Sequence, residues 1–481
     1  MAAPTFFWHD YETFGVDPRR DRPSQFAGVR TDAQLNEIDA PVMHYCRPAP
    51  DFLPDPEAVL LTGILPQTCL AQGLPEHAFA AAIEAQLARP DTIGVGYNSI
   101  RFDDEVTRHL FWRSLIDPYA REWQNGCGRW DLLDVVRVAW ALRPHGIEWP
   151  THPDGKPSFR LEDLARANGL VHESAHDALS DVRATVALAR LVRERQPRLW
   201  DFCLTLRRKE AVVAQMEQAQ RQGEPFLHVS GMYGTPSGCV AVVWPLAPHP
   251  TNRNEVIVWD LAHDPAELAT LDVEAIRLRM FSRNDALPEG VARLPIKTIH
   301  LNRSPIVIGD LRTLDATQAA RWNIDLARSR RHAQALASTA HLLAGLWPAV
   351  FERPGDLPTR DVDEDLYGAL VGNEDRRSLA ALRGLDGGAL ARRHPDFKDP
   401  RLAELVFRYR ARNFPEALSA PEREQWLAHC AHRLHDGAGG ATTLASFFDR
   451  IDALGEEANE SAQTILGALV DYATEIAPEP E

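Results

Sequence analysis

The 481-residue sequence predicts an α/β domain, then a β-rich domain and then an α-helical domain. In the first part, apolar runs of strand length alternate with helical periodicity, which favours an α/β arrangement. Short β-like runs separated by Pro, Gly and Asn follow, and helical periodicity returns from about residue 366 until about residue 476. The chain is also too long for one hydrophobic core. We place the domains at 5–195, 198–350 and 356–476.

Each element has a local reason. In the first domain we expect strands at 5–13, Val42–Cys46 and Thr92–Tyr97, and helices at Asp103–Leu115, Leu161–Asn168 and 178–194. Val106 and Leu110 are four residues apart, as one buried helical face requires, and Gly169 closes the helix that precedes it. In the second domain the runs FLHVSG, CVAVVWPL, EVIVWDLA, IKTIHLN and SPIVIG predict strands, with one helix at Val273–Phe281. A small β-rich domain such as a barrel would use them.

Composition narrows the functional class. The formal net charge of −16 argues against indiscriminate binding of polyanions, so a nucleic-acid ligand would need cations gathered along one groove. The six cysteines (46, 69, 127, 203, 239, 430) have no metal-like spacing, which favours reduced thiols in a cytosolic protein. We see no N-terminal signal and no apolar run of the ~20 residues that a membrane span needs.

Five residues carry the chemistry: Asp10 and Glu12 in HDYETFG, Asp103 in GYNSIRFDDEV, and His176 and Asp181 in AHDALSDVRATVAL. Asp10 and Glu12 are two apart near a strand end, so both side chains point to one face. Adjacent carboxylates repel unless a cation neutralises them, and hard oxygen ligands suit Mg²⁺ or Mn²⁺.

His176 and Asp181 would point about 140° apart on one regular helix. They converge if His176 lies just before the helix and Asp181 lies in its early turns. Together, Asp10, Glu12 and Asp181 can hold two divalent ions, with Asp103 adding to the second. His176 can then take a proton from water near neutral pH.

Each piece alone also has an ordinary structural reading. A lone Asp-x-Glu is more often a solvated strand edge, Asp103 could simply favour a helix N-terminus, and Asp177 could be an N-cap. Asp104 and Glu105 compete with Asp103 for the metal role, and spacing does not exclude them. Other chemistries lack their motifs: GVG at 94–96 is no dinucleotide fingerprint, no Walker motif is present, and Ser230 is not in a GxSxG elbow.

The sequence also resembles a known family. HDYETFG, DRPSQFAGVRTD, GYNSIRFDDEVTR, PSFRLEDLARANG, AHDALSDVRATVALA, HPTNRNEV and RYRARNFP are similar to segments of the bacterial exonuclease I family, in the DEDDh group of the proofreading-exonuclease (RNase T-like) superfamily. The likeness is thinner over 210–225, 355–400 and 420–476. It implies an RNase H-like nuclease domain with a mixed sheet, an SH3-like β domain and a helical C-terminal domain, forming a ring-like channel around the strand.

The resemblance implies an activity and a cofactor. We expect a processive 3′→5′ exodeoxyribonuclease that degrades single-stranded DNA to 5′-mononucleotides in DNA repair and recombination. The family's metal ligands match Asp10, Glu12 and Asp181, its further acidic residue matches Asp103, and its base matches His176. Two Mg²⁺ ions per site are expected, with Mn²⁺ able to substitute. A 3′→5′ exoribonuclease of the same superfamily and an inactive single-strand-binding protein are the alternatives.

The resemblance also implies strand-binding positions and a partner. The positions are Glu12, Arg108, Tyr119, Trp123, Arg137, Arg143, Phe159, Arg160, Lys209, Asn254, Lys297 and Asn302. Cations suit phosphates, aromatic rings suit stacking and amides suit polar edges, although Tyr119, Trp123 and Phe159 could equally be core residues. The expected partner is the acidic C-terminal tail of single-stranded-DNA-binding protein, in a pocket whose residues cannot be assigned. We expect a monomer in the bacterial cytosol, without membrane contact.

Overall fold

The computed structural model describes residues 4–171, 177–352 and 360–478. The strands in these ranges are β1 (Thr5–Thr13), β2 (Pro23–Thr31), β3 (Val42–Tyr45), β4 (Thr92–Gly96), β5 (Gly128–Asp131), β6 (Phe226–Val229), β7 (Val240–Pro248), β8 (Glu255–Asp260), β9 (Ile296–His300) and β10 (Ile306–Ile308). The α-helices are α1 (Pro56–Thr62), α2 (Pro66–Gln72), α3 (Glu76–Leu87), α4 (Asp103–Arg113), α5 (Leu132–Leu142), α6 (Leu161–Ala167), α7 (Ala178–Arg195), α8 (Pro197–Thr205), α9 (Lys209–Arg221), α10 (Val273–Phe281), α11 (Ala316–Arg321), α12 (Leu326–Leu343), α13 (Trp347–Phe351), α14 (Asn373–Arg383), α15 (Gly387–Ala391), α16 (Arg401–Asn413), α17 (Ala420–Asp436), α18 (Leu444–Gly455) and α19 (Glu460–Ile476).

Backbone packing divides the chain into two compact units. Of the described residues, unit 1 holds 4–128, 177–186 and 360–478, and unit 2 holds 129–171 and 187–352. The two units therefore each combine segments that are distant in sequence. The three domain boundaries expected from the sequence stay a prediction.

The sheet of unit 1 is mixed. Its order is β3-β2-β1-β4-β5, and the division between the units falls inside β5. β1 pairs antiparallel with β2 and parallel with β4, and β2 pairs antiparallel with β3. The expectation of a mixed, RNase H-like sheet is confirmed, with β1 at its centre.

Two hydrophobic cores hold β1 and α4 in place. Phe7 and Phe26 on the sheet pack with Phe79 of α3 and with Val106 and Leu110 of α4, so the predicted spacing of Val106 and Leu110 does mark a buried face. At the far end of α4, Trp112 and Leu115 join the core of the C-terminal helices: Leu366, Leu379, Leu402, Leu405 and Tyr409. The helix that begins at Asp103 is therefore fixed from both sides.

Unit 2 is built on a second, antiparallel sheet of order β10-β6-β7-β8-β9. These five strands are the five β-like runs of the sequence, and α10 has the predicted bounds Val273–Phe281. The β-rich character is confirmed, but α9, α11 and α12 lie in the same stretch and were not predicted. In unit 2, Trp140 of α5 packs against Trp322, with ring centroids 4.7 Å apart.

The elements predicted for the first domain, 5–195, are close to those observed. The strand at 5–13 is confirmed, and those expected to end at Cys46 and Tyr97 end one residue earlier. The helices expected at Asp103–Leu115 and Leu161–Asn168 end at Arg113 and Ala167, and Gly169 has the left-handed conformation (φ 63°) that closes a helix. All six cysteines are free thiols. None of the helices in the described ranges combines the length and apolar character needed to cross a bilayer.

Candidate active site

Two carboxylates come from the central strand. Asp10 and Glu12 alternate with the buried residues His9, Tyr11 and Thr13 of β1 and share one face of the sheet. Asp10 lies opposite Ala27 of β2 and Glu12 lies opposite Gln25. The pairing of β1 with β2 is regular up to Glu12 and shifts register immediately after it. Both acids therefore lie at the end of the regularly paired part of β1.

The third carboxylate comes from the first turn of α7. Asp181 lies in that turn, and the Asp177 carboxylate accepts a hydrogen bond from the Ser180 backbone N–H (3.1 Å), as an N-cap does. The Ala178 backbone N–H donates to the Gln25 side chain (3.3 Å). Because Gln25 is the strand partner of Glu12, this bond fixes the start of α7 against β1.

Asp10, Glu12 and Asp181 form one cluster. Each offers a carboxylate oxygen, and the three oxygens lie within 4.8 Å of one another. Glu12 is 8% exposed and the other two are half-buried. Such a group is the donor set that a hard divalent cation prefers.

Asp103 is linked to the cluster by a hydrogen bond to the backbone of Tyr11, the residue between Asp10 and Glu12. Its Oδ1 accepts a hydrogen bond from the Tyr11 N–H (3.1 Å), and Asp103 is buried at the start of α4. We call Asp10, Glu12, Asp103 and Asp181 the carboxylate cluster. This position favours Asp103 over its two neighbours as the fourth acidic residue.

The competing acids have other partners. Asp104 is buried and pairs with Arg121 at 2.5 Å. Glu105 pairs with Arg108 at 2.9 Å and accepts a hydrogen bond from the Tyr367 hydroxyl. From the sequence, Asp103, Asp104 and Glu105 were equal candidates for the metal role. Arg108 of α4 and Arg121, which follows that helix, pair with Glu105 and Asp104 and leave Asp103 as the candidate.

Burial and acidic neighbours dominate the electrostatics of Asp10 and Glu12. Burial raises the pKa of Asp10 well above its ordinary value, and the nearby Asp103, Glu12 and Asp181 raise it further. Burial also raises the pKa of Glu12 to about 7, with Asp181 and Asp177 adding to the effect. Like charges and desolvation both favour protonation, and a bound divalent cation would relieve both. The residues therefore fit the expected metal ions.

His176 lies outside the described residues, so its role as the general base stays a prediction. Its neighbours agree with the argument made from spacing: α7 begins at Ala178, and Asp181 is in its first turn. Sequence reasoning did not find Gln25, which fixes α7. Gln25 is a buried polar residue opposite Glu12, and this position marks it as functional only after the strand pairing is known.

The predicted strand-binding residues of unit 1 differ in exposure. Trp123 is 67% exposed, which removes the core-packing reading for it. Tyr119 is half-buried, with the Arg108 guanidinium 5.3 Å from its ring centroid. Arg108 itself is buried and pairs with Glu122 at 2.7 Å as well as with Glu105. Its guanidinium therefore already has anionic partners within the protein.

Four more predicted strand-binding residues lie in the nuclease-like part of unit 2. Arg160 is exposed at the start of α6, and Arg137 pairs with Asp134 at 2.7 Å. Arg143 donates to the backbone carbonyls of Leu142 and Thr313. Phe159 packs edge-on against Trp140, with centroids 5.2 Å apart, so it has the packing role that the sequence left open.

The remaining four gather beside β8 and β9. The Lys209 ammonium donates to the Asn254 side chain at 2.7 Å, and the Asn254 carbonyl accepts from the Leu301 N–H at 2.7 Å. Asn302 follows and is exposed, while Lys297 lies in β9 opposite Val258. The structure thus brings Lys209 and Asn254 into direct contact, and Asn302 directly follows Leu301, whose N–H donates to Asn254. Their function as strand contacts stays a prediction.

Comparison with known proteins finds similarity over most of the chain. Three family models match: "Exonuclease" over residues 7–189, "Exonuclease I SH3-like domain" over 207–353 and "Exonuclease I C-terminal domain" over 360–476. The exodeoxyribonuclease I of Escherichia coli K12 is 44% identical over 425 residues, which cover 88% of this chain and 89% of the relative.

Solved structures agree along the whole chain. Exonuclease I from Methylocaldum szegediense has a TM-score of 0.93 and 47% identity, covering 98% of this chain and all of that one. The zinc-bound complex of E. coli exonuclease I with single-stranded DNA has a TM-score of 0.92 and 41% identity, covering 99% and 100%.

Proposed function

The chain belongs to the exonuclease I family, and from this premise we propose that it removes nucleotides one by one from the 3′ end of single-stranded DNA. The single observation that carries the proposal is the carboxylate cluster, in which Asp10, Glu12 and Asp181 bring three oxygens within 4.8 Å of one another. Relatives that share the family architecture include a complex with single-stranded DNA.

The residues divide the reaction among them. Asp10, Glu12 and Asp181 hold two Mg²⁺ ions, Asp103 contributes to the second, and Mn²⁺ can replace Mg²⁺. When bound, the ions lower the pKa of a water molecule and stabilise the leaving oxygen. His176 accepts the proton of the attacking water, the new P–O bond forms, and the bond from phosphorus to the 3′ oxygen of the preceding nucleotide breaks. A 5′-mononucleotide leaves, and the shortened strand keeps a 3′ hydroxyl.

The zinc-bound relative supports a metal requirement for the family. The choice of Mg²⁺ and the count of two rest on the chemistry of the donor set. Carboxylate oxygens suit hard cations, and three or four of them carry enough negative charge for a pair of ions. Glu12, which would be a metal ligand, is also assigned to bind the substrate.

Strand binding is assigned to the predicted residues of both units. Lys209 and Lys297 supply cations for phosphates, and Tyr119 and Trp123 supply rings for bases. The double variant Lys209→Ala, Lys297→Ala should flatten the plot of log affinity against log salt by about 1.4, since each single-strand phosphate contact contributes roughly 0.7. Lys156→Ala is the matched control, because Lys156 is exposed and paired with Asp154 at 2.7 Å. An unchanged slope in the double variant would remove both lysines from the strand path.

Three further features follow from family membership. We assign the protein to DNA repair and recombination in the bacterial cytosol, acting processively as a monomer. Its partner is the acidic C-terminal tail of single-stranded-DNA-binding protein. A fluorescent peptide of that tail should bind the full-length chain, and the same peptide with its acidic residues replaced by their amides should not. Equal binding of both peptides would remove the partner.

The deciding experiment is digestion of single strands labelled at the 3′ or 5′ end, DNA beside RNA, with and without Mg²⁺. We expect immediate release of the 3′ label from DNA as a mononucleotide, conversion of the 5′-labelled strand to short end products with few intermediate lengths, and no reaction in EDTA. Preference for RNA would make the protein an exoribonuclease. Binding without cleavage would make it an inactive strand-binding protein.

A further inference from the structure

Unit 1 contains a mainly apolar cavity beside Tyr119. Its volume is about 160 Å³, and it lies between the turn that follows α4 and the segment that leads into α14. Leu115, Ile116, Leu366 and Leu370 contribute apolar walls, with the Tyr119 side chain among them. Leu370 is 86% exposed, so folding alone does not account for an apolar side chain there.

The cavity wall carries four charged side chains, two acids (Glu84 and Asp117) and two arginines (Arg376 and Arg383). Glu84 pairs with Arg383 at 2.5 Å. The Asp117 carboxylate accepts hydrogen bonds from the Tyr119 and Ala120 N–H groups at 2.9 and 3.2 Å. Arg376 is exposed and, within the described part of the chain, has no acidic side chain at ion-pair distance. The wall therefore presents an apolar surface on which, among the described residues, Arg376 has no ion-pair partner and Asp117 is bound by backbone N–H groups, with formal charges that balance.

The ring of Tyr119 is positioned by a polar cluster that includes the C-terminal segment. Arg108, whose guanidinium lies against the ring, donates to Glu105 (2.9 Å), Glu122 (2.7 Å) and the Tyr367 hydroxyl (3.0 Å). Arg108 lies on the helix that begins at Asp103, five residues on, or about 7.5 Å along the axis. The cavity thus lies within a few nucleotides' reach of the carboxylate cluster.

We propose that this cavity, which we call the Tyr119 pocket, holds one base of the single strand while Arg376 contacts the adjoining phosphate. An apolar cavity of about 150 Å³ takes a benzene ring, so the Tyr119 pocket has the size of a single base ring. An aromatic wall, apolar neighbours and a free cation are the combination by which proteins hold single strands without reading sequence. The inference rests on the proposed function and adds a subsite in which the helical C-terminal segment takes part.

The test measures strand affinity of the full-length chain in EDTA, where no cleavage occurs. The probes are oligothymidine strands that each carry one abasic position, moved stepwise from the 3′ end. Loss of a stacked base should weaken binding by about 5- to 100-fold at the position that occupies the Tyr119 pocket. In Ala380→Trp, which fills the cavity from its wall, the loss at that one position should disappear while losses at other positions remain.

Arg376 and its neighbour Arg377 provide a matched pair. Both are exposed on α14, but only Arg376 lines the Tyr119 pocket. Arg376→Ala should weaken strand binding and reduce the salt slope by about 0.7, the value for one phosphate. Arg377→Ala should leave the slope and the abasic profile as in the wild type.

Failure of this inference is distinguishable from failure of the proposed function. If strands are digested normally but Ala380→Trp and the surface variant Leu370→Ser both keep the wild-type abasic profile, the pocket holds no base. If the wild-type chain self-associates and Ala380→Trp abolishes only that, the occupant is a second copy of the chain. If the wild type neither binds nor digests single strands, the proposed function has failed before the pocket is tested.

Discussion

Two groups of buried carboxylates in unit 1 have opposite electrostatic settings. The carboxylate cluster at the end of β1 lies among acids. The second group, which we call the arginine network, consists of Asp51, Asp361 and Asp363 with Arg22, Arg408, Arg412 and Arg433. Arg412 contacts Asp51 at 2.6 Å and Asp363 at 2.5 Å, and Arg22 contacts Asp363 at 2.9 Å.

The pKa shifts of the two groups have opposite signs. Burial alone would raise the pKa of Asp51 and of Asp363. In Asp51, Arg412, the His429 imidazole 3.5 Å away and Arg433 outweigh burial and hold the pKa well below its usual range. In Asp363 the same outcome comes from Arg412, Arg22 and Arg408. The pKa of Asp10 is instead raised, by burial and by acidic neighbours.

The difference teaches where this protein leaves a charge unbalanced. Buried carboxylates need a cation or a proton. In the arginine network the fold supplies the cations from its own side chains. In the carboxylate cluster the side chains that raise the pKa of Asp10 are other acids, and a bound divalent ion would offset their mutual repulsion.

The largest expected effect separates the two groups by activity. Asp10→Asn should lower the rate of strand degradation by more than about 10³-fold, because metal ions supply several kcal/mol of transition-state stabilisation. Asp363→Asn should keep activity at temperatures where it is folded. Turnover measured on an end-labelled strand checks both. Activity of Asp10→Asn within tenfold of the wild type would remove Asp10 from the site.

A substitution of His176 tests the proposed transfer of the water proton. His176→Ala should lower the rate at saturating Mg²⁺ by about 10²–10⁴, the usual range for a lost general base. Its requirement for Mg²⁺ should be unchanged, because His176 is assigned as a base and not as a ligand. His172→Ala, four positions earlier, is the control. A raised Mg²⁺ requirement with a normal saturated rate would contradict this assignment.

Stability should respond in the opposite order to activity. Asp363→Asn breaks a buried ion pair and should cost about 3–5 kcal/mol of unfolding free energy. Asp10→Asn removes a half-buried charge on which, among the described residues, the side chains that act are acidic, so it should raise the melting temperature in EDTA at pH 8. Denaturant and thermal melts of both variants measure this. Equal destabilisation by the two substitutions would show that the two groups do not differ.

The pH dependence follows from Glu12. Its folded pKa of about 7 lies above the ordinary value, so its contribution to stability is present below the ordinary pKa and is lost as pH rises towards 7. Mg²⁺ competes with this proton, and its affinity should therefore be about tenfold weaker at pH 6 than at pH 8. The Mg²⁺-induced rise in melting temperature should shrink accordingly. A Mg²⁺-induced rise in melting temperature that is larger at pH 6 than at pH 8 would contradict a raised pKa of Glu12.

The sequence was sufficient for the parts of the site that local pattern determines. Asp10 and Glu12 lie where alternation along a strand places them, and Asp181 lies in the first turn of a strongly periodic helix. The strand β2 was missed because all nine of its residues are buried, so it has no alternation of polar and apolar positions to recognise.

Contacts between residues that are distant in sequence could not be predicted, because no local pattern indicates them. Asp103 differs from Asp104 only through Arg121 and the Tyr11 backbone, which no spacing reveals. Arg22 and Asp363 are 341 positions apart, and no local sequence pattern in either segment predicts their ion pair. The helices within the β-rich stretch were missed because five clear β-like runs dominated the prediction there.

Titration of the wild-type chain with Mn²⁺ at pH 8 tests the central claim most directly, because it counts the cations that the carboxylate cluster accepts. We expect two ions per chain in the wild type, the same two in folded Asp363→Asn, and loss of at least one in Asp10→Asn. A wild type that binds no ion, or an Asp10→Asn variant that still binds both, would contradict the account.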